Sequence, residues 1–394
     1  MRASLALLAT AAVVASTAAY SFTTDADCEY LGTCTPSSHQ CQCHQGFTGP
    51  SCGTLDLAPT SVDIDALPLW PNRDVLLNNS AWGFTIVHDP SDNLYHAFVT
   101  VACGSMGVVG DGGGDSWIAH VSSPYPDHGF TLQAMVVPQT SFGPHLAVNP
   151  ATGQFVLIFR VNLFANTQLC GGNSTQPVPG LGDNPYIPYS AITPGDPENG
   201  TNMFIAWADK MTGPWTTVKV NITEAGGSHK SNPSITFLKD GRVMMAYRYN
   251  SKIGELNAIA FAVNNDFRGP YATVFNLTNG QPGDEDPFVW EQPDGTLHLV
   301  WHNKNYGYHG FAVDNNGKGG GKWQVSPIVG THAFNLTAPL SNGTSFALLR
   351  RERPEIRFDP STGAPVMLYN GVTGPWGAAW VLGQPFAGTG GGAV

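Results

Sequence analysis

Two short motifs in the second half of the chain place a glutamate two residues before a proline. They are DEDP, ending at Pro287, and RERP, ending at Pro354, so Glu285 and Glu352 each lie two residues before the proline. A pair of carboxyl groups cleaves a glycosidic bond when one protonates the leaving oxygen and the other activates water or attacks the sugar. The separations needed are ~5–5.5 Å for retention and ~6.5–9.5 Å for inversion. The motifs supply the carboxyl groups for acid–base chemistry of this kind if the fold brings them together.

The carboxylates have two interpretations. In the first, Glu285 forms an acid and base pair with Glu352 or Asp286, because like charges in a confined site raise one pKa. In the second, Glu352 is only the ion-pair partner of a flanking arginine, Arg351 or Arg353. Ion-pair networks perturb carboxylates as readily as active sites do, so the sequence leaves both interpretations open.

The two motifs belong to a pattern that recurs five times: an apolar strand, a polar turn and a second apolar strand. Such self-similarity is typical of a radial β array in which each copy is the inner hairpin of one blade. Further apolar stretches supply the outer strands, so we predict an all-β, five-bladed β-propeller whose hairpin starts line a central funnel. The copies are GFTIVHDPSDNLYHAFVT from Gly83, GPHLAVNPATGQFVLIFR from Gly143, NPSITFLKDGRVMMAYR from Asn232, DPFVWEQPDGTLHLVWH from Asp286 and RPEIRFDPSTGAPVMLYN from Arg353.

The fifth blade lacks an obvious fourth strand before the chain ends, whereas residues 55–77 contain β-like residues that belong to no blade. We predict that this N-terminal segment completes the fifth blade and closes the ring.

Sugar recognition needs flat apolar faces for the ring and polar groups for the hydroxyls. Residues at the hairpin starts and at the ends of neighbouring second strands are placed for this role. Packing between blades is the other interpretation for any single Trp or His. The predicted substrate-binding residues are Trp82, His145, His229, Asn232, Arg248, Trp301, His302 and Arg353.

The N-terminus has the pattern of an export signal. Arg2 precedes an apolar stretch over residues 5–14, and the small residues Thr17 and Ala19 suit cleavage. We therefore expect a signal peptide over residues 1–19 and a secreted, extracellular product. Asn-x-Ser/Thr sequons agree with a secreted glycoprotein. They lie at Asn78, Asn173, Asn199, Asn221, Asn276, Asn335 and Asn342.

Five of the seven cysteines lie within residues 28–52. A segment this short cannot bury its own core and needs covalent cross-links, although sequence alone does not establish their connectivity. The stretch CQCHQGFTGPSC, ending at Cys52, resembles an epidermal-growth-factor-like module. That resemblance implies bonds Cys43–Cys52 and Cys28–Cys41 and leaves Cys34 without its usual partner.

Two further cysteines, Cys103 and Cys170, lie just beyond the second strands of the first two blades. They form either a disulfide between blade loops or two buried free thiols. The predicted organisation is a signal peptide at residues 1–19, an EGF-like module at 20–53 and the propeller at 54–394.

Residues 55–384 resemble the five-bladed propeller glycosidases of the arabinanase and xylosidase type, glycoside hydrolase family 43 and its wider clan. The matching fragments are NPS from Asn232 for the family's Asp-Pro-Ser, EDP from Glu285 for its Glu-x-Pro, and Gly-Pro-aromatic turns. The resemblance implies that Glu285 is the general acid. The Asp that orients the acid in that family aligns with Asn232, and the Asp that serves as its catalytic base aligns near Gly83. This chain therefore lacks two of the family's three carboxylates.

The net charge of the chain and the absence of several catalytic motifs exclude some classes of function. The net charge of -11 repels phosphate backbones and anionic lipids, so we expect neither nucleic-acid partners nor membrane insertion. The chain has no phosphate-binding loop, no His-Glu-x-x-His and no Gly-x-Ser-x-Gly motif. We predict no cofactor and no metal held by histidines; a structural calcium ion stays open because its oxygen ligands leave little sequence trace.

Two functions follow from these observations. The first is a secreted glycoside hydrolase that acts on a plant- or algal-type polysaccharide or glycan, for instance one containing arabinose or galactose. The second is a non-catalytic extracellular glycan-binding or adhesion propeller whose EGF-like module binds a protein partner. The missing carboxylates favour the second, whereas the two motifs before proline favour the first, which we rank ahead. Fold resemblance does not choose between them.

Overall fold

The computed structural model describes thirteen stretches of the chain, in which a small disulfide-rich module precedes a five-bladed β-propeller. The predicted signal peptide lies outside the described residues, and so does Cys170, which leaves its pairing with Cys103 a prediction. The described residues are 21–60, 79–103, 116–138, 141–161, 185–192, 202–223, 229–250, 258–277, 284–303, 306–312, 322–326, 331–375 and 379–388.

The N-terminal module consists of two short hairpins that are cross-linked by two disulfides. The bonds Cys28–Cys41 and Cys43–Cys52 confirm the predicted pairing, and Cys34 is a buried free thiol. Such a segment has too few apolar residues for a core of its own, so the cross-links restrict its unfolded state instead. Its strands are β1 (Gly32–Thr35), β2 (Gln40–Cys43), β3 (Phe47–Thr48) and β4 (Thr54–Leu55).

The propeller confirms the all-β prediction of five blades, each an antiparallel sheet that begins with the strand nearest the axis. Blades 1 and 2 contain β5 (Asn79–Asp89), β6 (Leu94–Cys103), β7 (Ser116–Ser123), β8 (Thr131–Val137), β9 (Ser141–Val148), β10 (Phe155–Val161), β11 (Asn202–Ala208) and β12 (Thr216–Lys219), with a 3-10 turn at Tyr189–Ala191. Blade 3 contains β14 (His229–Phe237), β15 (Val243–Asn250), β16 (Ala258–Asn264) and β17 (Tyr271–Leu277), and β13 (Ile222–Thr223) adds to β17 in parallel. Blade 4 contains β18 (Asp284–Glu291), β19 (Leu297–Asn303), β20 (Tyr306–Ala312) and β21 (Trp323–Val325). A hairpin of β22 (Thr337–Pro339) and β23 (Ser345–Ala347) precedes blade 5, which contains β24 (Arg350–Phe358), β25 (Pro365–Thr373) and β26 (Ala379–Pro385).

The polar turns of the five inner hairpins share one local interaction. In each, a side-chain oxygen of Asp or Asn accepts a hydrogen bond from the backbone N–H two residues later. This bond stabilises a tight turn and explains why Asp and Asn recur there. The acceptors are Asp89, Asn149, Asp240, Asp294 and Asp359.

The ring closes between blades 5 and 1. Phe84 packs against Tyr369 with ring centroids 4.8 Å apart, inside an apolar cluster drawn from both blades. Leu57 forms an isolated bridge with Phe386, just after β26, and the Ala58 N–H donates to Pro385 O, whereas Thr60 forms its bridge with Leu340. The predicted closing segment thus lies next to the fifth blade but forms no regular strand there, and residues 61–78 lie outside the described residues.

The module is docked on blade 4 by a buried carboxylate. Glu29 accepts hydrogen bonds from Ser51 of the module and Ser326 of the propeller, and its Oε2 lies 2.5 Å from His309 Nδ1. A charged group buried at this depth is stable only when paired, so these contacts hold the two units together.

Two observations bear on export. The sequons at Asn221, Asn335 and Asn342 have exposed side chains, whereas the side chains of the other four lie outside what the structure describes. None of the helices among the described residues combines the length and apolar character needed to cross a bilayer.

Candidate functional site

The inner strand of every blade contains a β-bulge at the same position. The bulged residue has a positive φ in all five blades: 70° at Gly83, 63° at Gly143, 51° at Asn232, 55° at Asp286 and 51° at Arg353. Each is followed by proline, except that Phe84 follows Gly83. Non-glycine residues in this conformation cost about 1–3 kcal/mol and are concentrated at functional sites. The bulges therefore mark the funnel floor.

Two more residues per blade accompany each bulge: the residue before it and the cross-strand partner of that residue. The five pairs are Trp82 and Thr100, Phe142 and Arg160, Ser231 and Arg248, Glu285 and His302, and Glu352 and Gly371. The sequence analysis missed Arg160, although a signal was present. Arg160 is the last residue of the second repeat, as Arg248 and His302 are the last residues of the third and fourth.

His302 lies at the centre of the acidic part of the floor. Its Nε2 is 3.5 Å from Glu285 Oε1 and 3.8 Å from Glu352 Oε1, and its Nδ1 is 3.1 Å from Asp286 Oδ2. Because the first two distances start at one nitrogen, those two carboxylate oxygens are at most about 7.3 Å apart, the distances laid end to end. That limit is compatible with both retaining and inverting separations.

An arginine contacts each of the three carboxylates. Arg248 Nη1 donates to Glu285 Oε2 at 2.5 Å, and Asn232 Nδ2 lies 3.5 Å from the same oxygen. Arg350 Nε donates to Glu352 Oε1 at 2.6 Å. Glu352 is thus paired with Arg350 rather than with the adjacent Arg351, which the sequence offered as an alternative.

Arg353 pairs with the third carboxylate. Its Nη2 lies 3.2 Å from Asp286 Oδ1. The side chain crosses the floor in space that two glycines leave open. A Cβ at Gly83 would lie 2.7 Å from Arg353 Cδ, and one at Gly143 would lie 2.5 Å from Arg353 Nη1. The ion pair therefore needs glycine at the bulges of blades 1 and 2.

The shared imidazole is charged at neutral pH. Burial by itself would lower the pKa of His302, but its close contacts with Asp286 and Glu285 and the negative charges of these groups raise it to about 10. Burial would raise the pKa of Asp286, yet Arg353 and His302 lower it to about 2. This pair is a fixed ion pair that does not exchange protons near pH 7.

The two glutamates shift in opposite directions. Burial favours a higher pKa for Glu285, but His302 and Arg248 outweigh it and lower the pKa below its usual value. Burial raises the pKa of Glu352, and the neighbouring charges of Asp286 and Glu285 add to that effect despite His302. The roles expected from sequence, with Glu285 as the acid, call for the reverse order.

Beneath the floor, a second layer closes the funnel. The residues two positions after the bulges, Thr85, His145 and Glu355, contact one another across blades. Thr85 Oγ1 donates to Glu355 Oε1 at 2.9 Å, and His145 Nδ1 lies 3.0 Å from Glu355 Oε2. The other ring nitrogen of His145 bonds Ile235 O at 2.8 Å. Both nitrogens of His145 are occupied below the floor.

The aromatic candidates are buried. Trp82 is 3% exposed, and its ring fills the space above Gly371, where a Cβ would lie 2.9 Å from it. Trp301 is fully buried and donates from Nε1 to Asp284 Oδ1 at 2.9 Å. The side chain of His229 lies outside what the structure describes. Neither described tryptophan has an open face for a sugar ring.

Within the stretches that the structure describes, two groups of side chains have donor atoms close enough to hold a metal ion. Ligand atoms of Asp286, His302 and Glu352 lie within 4.8 Å of one another. A protonated histidine and two arginines already balance these carboxylates, so the group does not suit a cation. The second group, Asp89, Asp92 and His96, lies at the outer turn of blade 1, away from the funnel.

Comparisons with known proteins support the fold. No protein-family model matches the chain, and no curated protein matches its sequence. A thermostable family-43 glycoside hydrolase superposes with a TM-score of 0.50 at 11% identity, over 78% of this chain and 89% of that one.

Two further solved structures are similar at lower scores. A family 117 glycoside hydrolase of the marine bacterium Zobellia galactanivorans has a TM-score of 0.49 at 10% identity, covering 84% of this chain and 89% of that one. An alpha-L-arabinofuranosidase from Lactobacillus brevis has a TM-score of 0.49 at 10% identity, and the superposition covers 78% of this chain and 91% of that one. At such identities the likeness concerns the fold, while function depends on the site.

Proposed function

We propose that this chain is a glycoside hydrolase in which Glu352 acts as general acid and Glu285 as base or nucleophile. The observation that carries the proposal is that both carboxylates approach the same nitrogen, His302 Nε2, while their pKa values shift in opposite directions. Pairs of titratable groups whose surroundings separate their pKa values are typical of acid and base roles.

The contacts of each carboxylate suit these roles. Every described contact of the Glu352 carboxylate goes to Oε1, which leaves Oε2 to carry a proton toward a leaving glycosidic oxygen. Arg248 and His302 keep Glu285 ionised, as an attacking or water-activating group must be. His302 stays protonated and holds both side chains in position.

The proposal changes the assignment expected from sequence. Glu285 is too strongly stabilised as an anion to serve as an acid near neutral pH, and Asp286 is held by Arg353. We leave His145, Trp82 and Trp301 out of the substrate site because their polar atoms or ring faces are buried. Asn232, Arg248, Arg353 and His302 stay in it as floor residues.

The substrate class is part of the proposal. The similar folds include a family-43 glycoside hydrolase and an alpha-L-arabinofuranosidase, so a carbohydrate is the expected ligand. Two disulfides are compatible with an extracellular location. We retain secretion, glycosylation and a protein partner on an EGF-like module as further parts of the proposal.

The test is a reducing-sugar assay of the purified protein on a panel that includes arabinan and galactan. Glu352→Gln and Glu285→Gln are each expected to lose about 10²–10⁴-fold in kcat. Glu291→Gln changes the far end of the same inner strand, β18, and serves as the matched control that keeps full activity.

An aryl glycoside with an acidic leaving group separates the two roles. Such a leaving group needs no proton, so Glu352→Gln is expected to regain most of its first-step rate, whereas Glu285→Gln is not. Recovery by Glu285→Gln alone would reverse the assignment. Absence of product from every polymer and glycoside would reject hydrolysis altogether.

One observation favours a non-catalytic glycan-binding protein instead. Each floor carboxylate already has an arginine partner, and the bulges of blades 1 and 3 have Gly83 and Asn232 where a carboxylate would complete the resemblance. Glycan binding without any product in the same panel would establish this second function.

A further inference from the structure

The floor contains one arginine that has no partner among the described residues. Arg160 on β10 stacks on Phe142, with its guanidinium carbon 4.4 Å from the ring centroid. Its side chain is half-buried, and its Nε is shielded from solvent and has no hydrogen-bond partner. A donor that is shielded from water and unpaired destabilises the protein unless a ligand completes it, and the Nε of Arg160 is such a donor.

Other arginines of the same region are satisfied. Arg248, Arg350 and Arg353 each pair with a floor carboxylate. Arg351, on the opposite face of its strand, is fully buried and donates to three neutral acceptors, the side chains of Asn370 and Gln384 and the carbonyl of Asn335. Arg160 has neither a carboxylate nor a neutral acceptor within the described stretches.

The charges of the floor do not cancel. The cations are Arg160, Arg248, Arg350, Arg353 and protonated His302, against the carboxylates Glu285, Asp286 and Glu352. Two positive charges are in excess even when all three acids are ionised, although the whole chain carries -11. Burial and the charges of Arg248 and Arg353 lower the pKa of Arg160 to about 9, so it is still charged at pH 7. A cleft lined with charges of one sign attracts ligands of the opposite charge.

We propose that the funnel binds a sugar residue bearing an acidic group, a uronate carboxylate or a sulfate ester, and that Arg160 is the partner of that group. The guanidinium fork matches the paired oxygens of either anion, and Phe142 holds it in place. The inference rests on the proposed function for the identity of the ligand as a glycan. It concerns binding, so it is testable without turnover.

The experiment measures binding in the Glu352→Gln background by affinity gel electrophoresis. The probes are polygalacturonate for uronate, carrageenan for sulfate ester, and galactan as the neutral polymer. At least one acidic polymer is expected to bind more than tenfold tighter than galactan, and Arg160→Met is expected to weaken that binding roughly 10- to 100-fold. The preferred polymer identifies the acidic group.

The matched control is Arg357→Met. Arg357 lies four residues beyond Arg353 on β24, stacks on Tyr95 at 5.1 Å and also has a buried, unpartnered Nε, but it lies outside the floor. This variant is expected to leave affinity unchanged. If Arg160→Met does not fold, Arg160→Lys keeps the charge without the fork and is expected to lose about tenfold.

Three outcomes would overturn the inference: equal affinity for galactan, an unchanged affinity in Arg160→Met, or binding of inorganic sulfate with neither acidic polymer bound. Failure of the proposed function is a separate result. If an acidic polymer binds selectively but the hydrolysis panel gives no product, the enzymatic function is rejected and the role of Arg160 as an anion partner is retained. If neutral polymers are hydrolysed and Arg160→Met does not change the rate, the enzymatic function is supported and the inference about Arg160 is rejected.

Discussion

Replacing His302 with glutamine is expected to remove a large pH dependence of stability. The imidazole is 1% exposed and lies within 4 Å of three carboxylates. Its pKa rises from 6.5 in the unfolded chain to about 10 in the folded protein. The protonated form therefore stabilises the fold fully below pH 6.5, and this contribution is lost as the pH rises through 10.

The size of the effect follows from the two pKa values. One unit of pKa shift corresponds to about 1.4 kcal/mol. Proton linkage then gives a contribution of about 4–5 kcal/mol at pH 6 and about 1–2 kcal/mol at pH 9. The wild type should lose about 3 kcal/mol of unfolding free energy across this range through His302. The variant should lose none of it, and it should be destabilised most at pH 6, where the cation counts most.

Urea unfolding followed by tryptophan fluorescence at several pH values between 6 and 9 measures both slopes. The pKa of His145 is also raised, against the effect of its burial, by the Glu355 charge. His145 titrates in wild type and variant alike, so the difference between them isolates His302. His128→Gln replaces a histidine whose side chain is 58% exposed and should leave the slope unchanged. Parallel slopes for wild type and His302→Gln would refute the assignment of a buried imidazolium.

Three more predictions concern stability. Gly143→Ala places a Cβ 2.5 Å from Arg353 Nη1. It should lower the free energy of unfolding by about 1–3 kcal/mol more than Gly153→Ala, whose φ is also positive but whose Cβ meets nothing within 4 Å. Equal melting temperatures of the two variants would exclude crowding by Arg353. Arg160→Met removes an unpaired guanidinium and should stabilise the ligand-free protein by about 1–3 kcal/mol in urea unfolding; a loss of stability would show that the arginine is satisfied. Glu29→Ala breaks the buried contacts between module and propeller and should cost about 3–5 kcal/mol by calorimetry, with Glu29→Gln costing less. Two equally mild variants would contradict an essential role of this buried carboxyl group.

The blade count and the bulge positions were predictable because they depend on local patterns. Each repeat combines an apolar strand, a turn stabilised by Asp or Asn, and a proline or phenylalanine after the bulge. Those features act within about twenty residues and need no tertiary contact. The disulfide pairing of the module followed from the resemblance to an EGF-like module, since the cysteine spacing alone leaves several pairings open.

The partners of the charged residues were not predictable in this way. Strand alternation places Arg350 and Glu352 on one face and Arg351 on the other, so the flanking arginine was the wrong partner. The exposure of Trp82 and His145 depended on which layer of the ring each joined, and blade packing sets those layers.

Local sequence therefore specified five hairpins, their bulges and the acids before them, because backbone conformation responds to nearby residues. The protonation of Glu285, Glu352 and His302 depended instead on how blades 4 and 5 pack against each other. This packing brings His302 and Glu352, which are 50 residues apart in the chain, to 3.8 Å in a buried floor. Charges interact strongly there, and their pKa values depend on neighbours that no stretch of sequence contains.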